Sequence, residues 1–184
     1  MPSCPSTARY NKSMKPLVIF FAGATAAGKT DMAYYLSEQF GLPIFSTDAV
    51  RRDAKIKKDV VDIHDAMDEF EAERDARCET LLKKGKPFIY DGSVDRKWPE
   101  LKKLAEEHGF NWLLIDFDLS KQRIVKNKKM FDHIEPDEMF DKWIADHQRF
   151  HESNDQDAQL HITDDNYSQR YDLAVELVKN AKAS

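Results

Sequence analysis

Apolar residues in this chain occur in two patterns, short continuous runs and longer segments with helical spacing. The short runs are typical of strands buried on both faces, and they comprise residues 17–21, 43–45, 87–90, 112–117 and 160–163. In the longer segments, apolar residues recur every three or four positions, as on the inner face of an amphipathic helix. Because parallel strands need long crossover connections, this alternation predicts an α/β domain with a five-stranded parallel sheet covered by helices on both faces.

The helical segments have recognisable start and stop residues. The predicted helices cover residues 28–40, 50–58, 62–84 and 120–130, and three more begin near Pro99, Pro136 and Tyr171. Glycines that suit helix ends follow three of them, namely Gly41, Gly85 and Gly109. The third helix is predicted to turn one apolar stripe inward, made of Ile63, Met67, Phe70, Cys78 and Leu81. Arg74 lies on this stripe, where we expect its stem to follow the core edge with its charged head in water. Contact with a substrate is the alternative for Arg74.

Composition fits one globular domain with a highly charged surface. The chain has 184 residues, 41% of them hydrophobic and 33% charged, which is enough to bury one core. Its net charge of −5, from 33 acidic and 28 basic residues, argues against a broad surface for long nucleic acid or an anionic membrane. Residues 1–13 are polar and rich in Pro and Ser, so we expect a disordered leader before a domain over residues 14–184.

The number and spacing of the cysteines indicate the cellular compartment. Cys4 and Cys78 are far apart in the chain, with no C-x-x-C pair and no zinc-binding spacing. This usage suits a reducing cytoplasm and argues against a disulfide framework. The sequence indicates no oligomeric state, and no apolar stretch is long enough to span a bilayer.

A phosphate-binding loop lies between the first strand and the first helix. Eight residues match the pattern G-x-x-x-x-G-K-[ST] at every fixed position, namely Gly23, Ala24, Thr25, Ala26, Ala27, Gly28, Lys29 and Thr30. Small residues let successive backbone N–H groups turn toward a phosphate that faces the positive end of the helix dipole. Lys29 can bridge the terminal phosphates, and the Thr30 hydroxyl can ligate magnesium. An ordinary glycine-containing turn is the alternative, which the strand-loop-helix context disfavours.

Two aspartates follow neighbouring predicted strands. Asp48 comes after the second strand and Asp91 ends the third, and ligands of open parallel sheets bind beyond the carboxyl ends of the strands. One carboxylate can accept the proton of an attacking hydroxyl, and the other can orient water around magnesium. Asp48 is equally suited to cap the helix that follows it, so both roles stay open. Arg51, three positions later, would face the same way and grip an acceptor, or form an exposed ion pair.

The second half of the chain contains basic residues and histidines that are further candidates for the functional site. Residues 119–135 are rich in lysine and arginine and predict a lid over the transferred phosphoryl group, with Arg123 as its candidate contact. A solvated basic helix is the alternative for this segment. His147 and His151 have a metal-compatible spacing, but with no H-E-x-x-H motif and no third ligand in the sequence no zinc site is predicted. His161, in the last strand, is predicted to be structural.

Four segments together, residues 23–30, 46–51, 88–93 and 118–129, resemble the small P-loop kinases of the AAA-domain, polynucleotide-kinase-like group. The resemblance covers nearly the whole chain from Lys15. It implies the three-layer α/β/α P-loop NTPase fold of nucleoside monophosphate kinases, with sheet order 2-3-1-4-5. It also implies Mg2+-assisted transfer of the ATP γ-phosphate to a hydroxyl of a small acceptor, such as a sugar, a nucleotide or a short nucleic-acid end.

The resemblance also assigns roles by position. It implies that Lys29 and Thr30 hold phosphate and magnesium and that Asp91 organises the magnesium shell. It implies that Asp48 is the general base, Arg51 the acceptor-phosphate or transition-state arginine, and Arg123 the lid arginine. Many relatives carry a second lid arginine where this chain has Lys126, and a lysine cannot offer the same forked contact.

Two other functions compete with phosphoryl transfer. The phosphate loop is also similar to that of tRNA prenyltransferases, which are longer enzymes with an extra helical insertion. The region around Asp48 lacks the residues that follow the aspartate in those enzymes. A nucleotide-binding module that hydrolyses ATP slowly or not at all is the second alternative, against which Asp48, Asp91 and Arg123 argue.

Overall fold

The computed structural model describes residues 15–58, 67–130 and 137–183. Within them, five strands form a single sheet in which every pairing is parallel. The strands are β1 (Leu17–Ala22), β2 (Ile44–Ser46), β3 (Phe88–Ser93), β4 (Asn111–Asp118) and β5 (Leu160–Thr163). Their spatial order is β2-β3-β1-β4-β5, which confirms both the predicted fold class and the predicted sheet order.

Helices connect the strands and cover the sheet. They are α1 (Lys29–Phe40), α2 (Thr47–Lys58), α3 (Met67–Lys83), α4 (Trp98–Glu107), α5 (Lys121–Met130), α6 (Asp137–Asn154) and α7 (Arg170–Ala183). Short 3-10 turns occupy Asp155–Asp157 and Tyr167–Gln169. The predicted leader, the predicted start of α3 near residue 62, the end of the lid segment and Pro136 lie outside the described residues. No helix in the described part of the chain has the length and apolar character needed to cross a membrane.

The two faces of β1 belong to two separate cores. All six β1 residues are buried, and they alternate between the faces as the period of a strand requires. Leu17, Ile19 and Phe21 pack in the core that includes residues of α1 and α7, whereas the intervening residues pack in the core that includes residues of α3 and α4. This two-sided burial explains why β1 reads as a continuous apolar run and why it is the central strand.

The inner face of α3 differs in two details from the predicted one. Leu82 is buried, whereas the predicted Leu81 only packs at the margin of the core. The charged head of Arg74 does not extend into water, because its side chain is only 11% exposed. Its guanidinium instead lies 5.4 Å from the centre of the Phe70 ring and 2.8 Å from Asp75 Oδ1. An aromatic face and a neighbouring carboxylate thus replace the expected solvent.

Candidate active site

The phosphate loop follows β1 and ends at the start of α1, where Gly28 caps the helix with a φ of 100°. Gly23 has a φ of 130°, a conformation that side chains rarely adopt. A Cβ atom at Gly23 would lie 2.8 Å from Phe117 Cβ, and one at Gly28 would lie 2.9 Å from the Tyr167 hydroxyl. Both fixed glycines of the motif are therefore required by backbone conformation and by close packing.

The amino group of Lys29 lies within this loop. Its Nζ donates hydrogen bonds to the carbonyl oxygens of Gly23, at 2.7 Å, and Ala24, at 2.6 Å. Burial lowers the pKa of Lys29, although the charges of Asp95, Asp91, Asp48 and Asp116 act in the opposite direction. The lysine is thus positioned at the mouth of the loop by carbonyl groups that a phosphate oxygen could replace.

Thr30 and Asp91 meet beside the loop. The Thr30 hydroxyl donates to Asp91 Oδ1 at 2.9 Å, although the two residues are 61 positions apart. Burial raises the pKa of Asp91, and the charge of Asp48 acts in the same direction. A hydroxyl and a carboxylate oxygen at this separation are oxygen donors of the kind that Mg2+ prefers, directly or through its waters. These two residues therefore fit the predicted magnesium site.

Asp48 and Arg51 lie in the first turns of α2, at the same end of the sheet. Arg51 Nη1 donates to Asp48 Oδ1 at 2.8 Å, so the two side chains face the same way as predicted, and they form the exposed ion pair that was the alternative for Arg51. The capping alternative for Asp48 is wrong, because Ser46 Oγ accepts the backbone N–H of Ala49 at 3.4 Å. The Asp48 side chain is 63% exposed, and its charge acts on both Lys29 and Asp91.

The basic helix α5 lies against the phosphate loop. The Arg123 guanidinium stands 5.0 Å from the centre of the Tyr167 ring, and its Nε lies 3.7 Å from Asp164 Oδ1. Lys126 is exposed on the same helix. The structure therefore places Arg123 next to the loop through Tyr167.

Two residues that the sequence did not indicate join α5 and the 3-10 turn Tyr167–Gln169 to the phosphate loop. Asn127 Nδ2 donates to the Ala26 carbonyl at 3.0 Å and to the Tyr167 hydroxyl at 3.1 Å. The Tyr167 hydroxyl in turn lies 3.4 Å from the Ala27 carbonyl. An asparagine among lysines and a tyrosine in a turn carry no local signal of this role, because both contacts arise only on folding.

A third residue that the sequence did not indicate, Asp95, holds the first N–H of the loop. Its Oδ1 accepts the Gly23 N–H at 2.9 Å, and its Oδ2 lies 3.2 Å from His147 Nδ1. Burial alone would raise the pKa of Asp95, but His147, Lys29 and the Gly23 N–H together lower it. The only hint in the sequence is that Asp95 comes four positions after Asp91, past the end of β3.

A phosphate loop between the central strand and its helix, in a parallel sheet of order 2-3-1-4-5, defines the P-loop kinase fold of the nucleoside monophosphate kinase type. The chain has this fold, as the resemblance implied. No family model matches the sequence, and no curated protein matches it.

Solved structures agree with this fold. A protein of Chloroflexus aurantiacus thought to be a kinase superposes with a TM-score of 0.63 at 17% identity, over 91% of this chain and 96% of that one. The APS kinase CysC of Mycobacterium tuberculosis, solved with AMPPNP and APS, superposes with a TM-score of 0.60 at 12% identity, over 90% and 98%. A gluconokinase of Sinorhizobium meliloti gives a TM-score of 0.54 at 14% identity, over 80% of each chain. At these identities the likeness establishes the fold alone.

Proposed function

We propose that this protein is a magnesium-dependent kinase that transfers the γ-phosphoryl group of ATP to a hydroxyl of a small acceptor. The observation that carries the proposal is the convergence of Lys29, Thr30, Asp91 and Asp48 at the carboxyl end of the sheet. The named kinases among the structural neighbours support it, and one of them was solved with an ATP analogue and its acceptor. The net charge of −5 favours a small acceptor over long nucleic acid, and the cysteine usage favours a cytoplasmic location.

The phosphate loop would bind the triphosphate. Lys29 would exchange its bonds to the Gly23 and Ala24 carbonyls for phosphate oxygens, while backbone N–H groups and the start of α1 face the same anion. Thr30 and Asp91 would hold magnesium, which when bound neutralises charge on the phosphates. Asp91 is buried and contacts Thr30, the other candidate magnesium ligand, whereas Asp48 is 63% exposed, so we assign Asp91 to the magnesium shell rather than to the base.

Asp48 would act as the general base. As the acceptor oxygen bonds to the γ-phosphorus, the bond from that phosphorus to the β-γ bridging oxygen breaks and ADP leaves. The proton of the acceptor hydroxyl passes to the Asp48 carboxylate, which is exposed and available to a substrate. Arg51 would grip the acceptor or the moving phosphoryl group, and Arg123, with Lys126 as a point charge, would supply positive charge from α5.

The test is ATP turnover with pools of sugars, nucleosides, nucleotides and short oligonucleotides, followed by variants. We expect Lys29→Ala to abolish transfer, and Asp48→Asn to keep ATP binding while slowing transfer by about 100-fold or more. Asp53→Asn is the matched control, because Asp53 is on the same helix and pairs with Arg77 at 2.7 Å rather than facing the loop. Unchanged turnover in Asp48→Asn would remove this residue as the base.

The same assay separates the competing functions. ATP binding without turnover in any acceptor pool would favour a nucleotide-binding module. Incorporation of an isoprenoid from its diphosphate would favour prenyl transfer. Full transfer activity in the Lys29→Ala variant would contradict the use of this loop for the triphosphate.

A further inference from the structure

A second polar cluster lies around Asp116 in β4, the strand that flanks β1 on the side opposite β3. Asp116 is in β4, paired in the sheet with Ala22, and its side chain is completely buried. Three histidines surround it, namely His147 and His151 of α6 and His161 of β5. A carboxylate that is removed from solvent needs several compensating partners, and the imidazoles are the groups that the fold places around it.

The atoms of this cluster have the spacing of metal ligands. Asp116 Oδ2 lies 2.7 Å from His151 Nε2 and 3.1 Å from His161 Nδ1. Each residue of the group Asp116, His151, Asp155 and His161 offers one ligand atom within 4.8 Å of the others. Zinc bonds of about 2.0–2.1 Å in a tetrahedron place ligand atoms about 3.3 Å apart. The two observed separations from Asp116 Oδ2, 2.7 and 3.1 Å, are somewhat shorter than this value.

Of these contacts to Asp116 Oδ2, the one with His161 Nδ1 is a hydrogen bond, and the one with His151 is not. His151 Nε2 is buried and makes no hydrogen bond to any group that the structure describes, despite its 2.7 Å distance from Asp116 Oδ2. The other oxygen, Asp116 Oδ1, is likewise buried without a hydrogen bond within the described part of the chain. The His151 nitrogen is therefore close to the carboxylate without being aligned to donate to it. Two atoms that bind the same metal ion have this arrangement.

The fourth residue supplies the outer contact that metal-binding histidines usually have. Asp155 Oδ1 lies 3.0 Å from His151 Nδ1, the ring nitrogen opposite the one that faces Asp116. A carboxylate there fixes the tautomer of the imidazole, so that Nε2 presents its lone pair to a metal ion. Asp155 Oδ1 is also 3.6 Å from His161 Nδ1, on the open side of the cluster.

We propose that Asp116 Oδ2, His151 Nε2 and His161 Nδ1 bind a divalent transition cation of the zinc type, with Asp155 holding the outer nitrogen of His151. Two imidazoles and one carboxylate select such an ion over Mg2+, which takes oxygen ligands. Three protein ligands also leave a coordination position for water. The sequence offered only the His147 and His151 spacing. Folding keeps these two rings together, with centres 4.8 Å apart, and adds Asp116 and His161 as partners of His151.

The cluster is joined to the phosphate loop by alternating acidic and imidazole groups. Asp116 Oδ1 lies 3.4 Å from His147 Nε2, and His147 Nδ1 lies 3.2 Å from Asp95 Oδ2. Asp95 accepts the N–H of Gly23 at the start of the loop. A metal ion would therefore hold the end of β4 and the last turn of α6 in the positions that support the loop, independently of phosphoryl transfer.

The experiment uses tag-free full-length protein, freed of metal with EDTA and titrated with Co2+ and Zn2+. We expect one equivalent per chain, visible absorption from Co2+ in a mixed nitrogen and oxygen site, and a melting temperature raised by roughly 5–10 °C when Zn2+ is about 100-fold above its Kd. His151→Gln and His161→Gln should weaken binding by about 100-fold or more, and Asp155→Asn by about 10-fold. His108→Gln and Asp91→Asn should bind as the unaltered protein does.

Either of two results would overturn the proposal. One is the absence of a one-equivalent Co2+ spectrum in the unaltered protein, which needs no variant and so does not depend on whether variants fold. The other is equal affinity in His161→Gln and His108→Gln, both checked by circular dichroism. Loss of binding in Asp91→Asn with retention in His161→Gln would assign the ion to the phosphate loop and likewise contradict the cluster.

Discussion

Asp95 provides the sharpest test of how the phosphate loop is held. Its carboxylate accepts the Gly23 N–H at 2.9 Å and faces His147 at 3.2 Å, and the side chains of Asp95 and His147 are only 6% and 7% exposed. Asp95→Ala removes the acceptor of the Gly23 N–H and the carboxylate that faces His147, without changing any residue of the loop. Asp95→Asn keeps an oxygen that can accept the Gly23 N–H but removes the charge.

The two substitutions should differ by a measurable amount. An unpaired buried N–H at Gly23 costs about 1–3 kcal/mol, and His147 left without its carboxylate costs about as much again. We therefore expect Asp95→Ala to lower the free energy of unfolding by about 2–6 kcal/mol. Asp95→Asn should keep the Gly23 hydrogen bond and lose the negative charge that strengthens it and faces His147, about 1 kcal/mol. Solvent screening reduces these values little, because both side chains are buried.

Urea unfolding followed by circular dichroism measures the change, with an unchanged m-value as the check of two-state behaviour. Titration with AMPPNP should show weaker binding to Asp95→Ala than to Asp95→Asn, because the loop loses its anchor. Asp165→Ala is the control, since Asp165 is exposed and surface changes usually stay within about 0.5 kcal/mol. Equal unfolding free energies for Asp95→Ala and Asp95→Asn would refute the role of the Gly23 hydrogen bond.

Three further predictions concern the loop and the core. Gly23→Ala should destabilise the fold by about 2–4 kcal/mol in thermal unfolding, because its φ is 130° and its new methyl would lie 2.8 Å from a β4 side chain. Gly41→Ala, also at positive φ but with nothing within 4 Å, should lose only about 1–2 kcal/mol. Asn127→Ala should lower the unfolding free energy by about 1–3 kcal/mol and weaken AMPPNP binding in calorimetry, since a loop carbonyl loses its donor. Burial raises the pKa of Cys78 to about 12, so in a Cys4→Ser protein its thiol should react with a disulfide reagent at pH 8 only after unfolding; rapid native reaction would contradict this.

Local patterns were sufficient for the architecture. The run of residues 17–21 is apolar at every position because β1 is buried on both faces, and the helices between strands carry one apolar face each. These periodicities predicted the five strands and a parallel sheet, and the resemblance added the strand order. Finer details were less accurate: α2 begins at Thr47 rather than at the predicted residue 50, and Leu82 rather than Leu81 is buried on the inner face of α3.

The phosphate loop was also predictable, because its chemistry lies within eight consecutive residues. Asp48 and Asp91 could be placed near it, since both follow strands whose carboxyl ends meet at one edge of the sheet. Their catalytic roles are predictions that only the assays above can test. Only the structure could show which residue caps α2, because Ser46 and Asp48 are both good capping residues and the cap is Ser46.

Contacts between distant parts of the chain were decided by tertiary structure. Asp95 meets Gly23 across 72 positions, Asn127 meets Ala26 across 101, and His161 meets Asp116 across 45. Each depends on strand register and on how helices pack, which no single segment encodes. Asp116 is the clearest case, because a carboxylate inside an apolar strand looks like an interruption until α6 and β5 bring histidines around it.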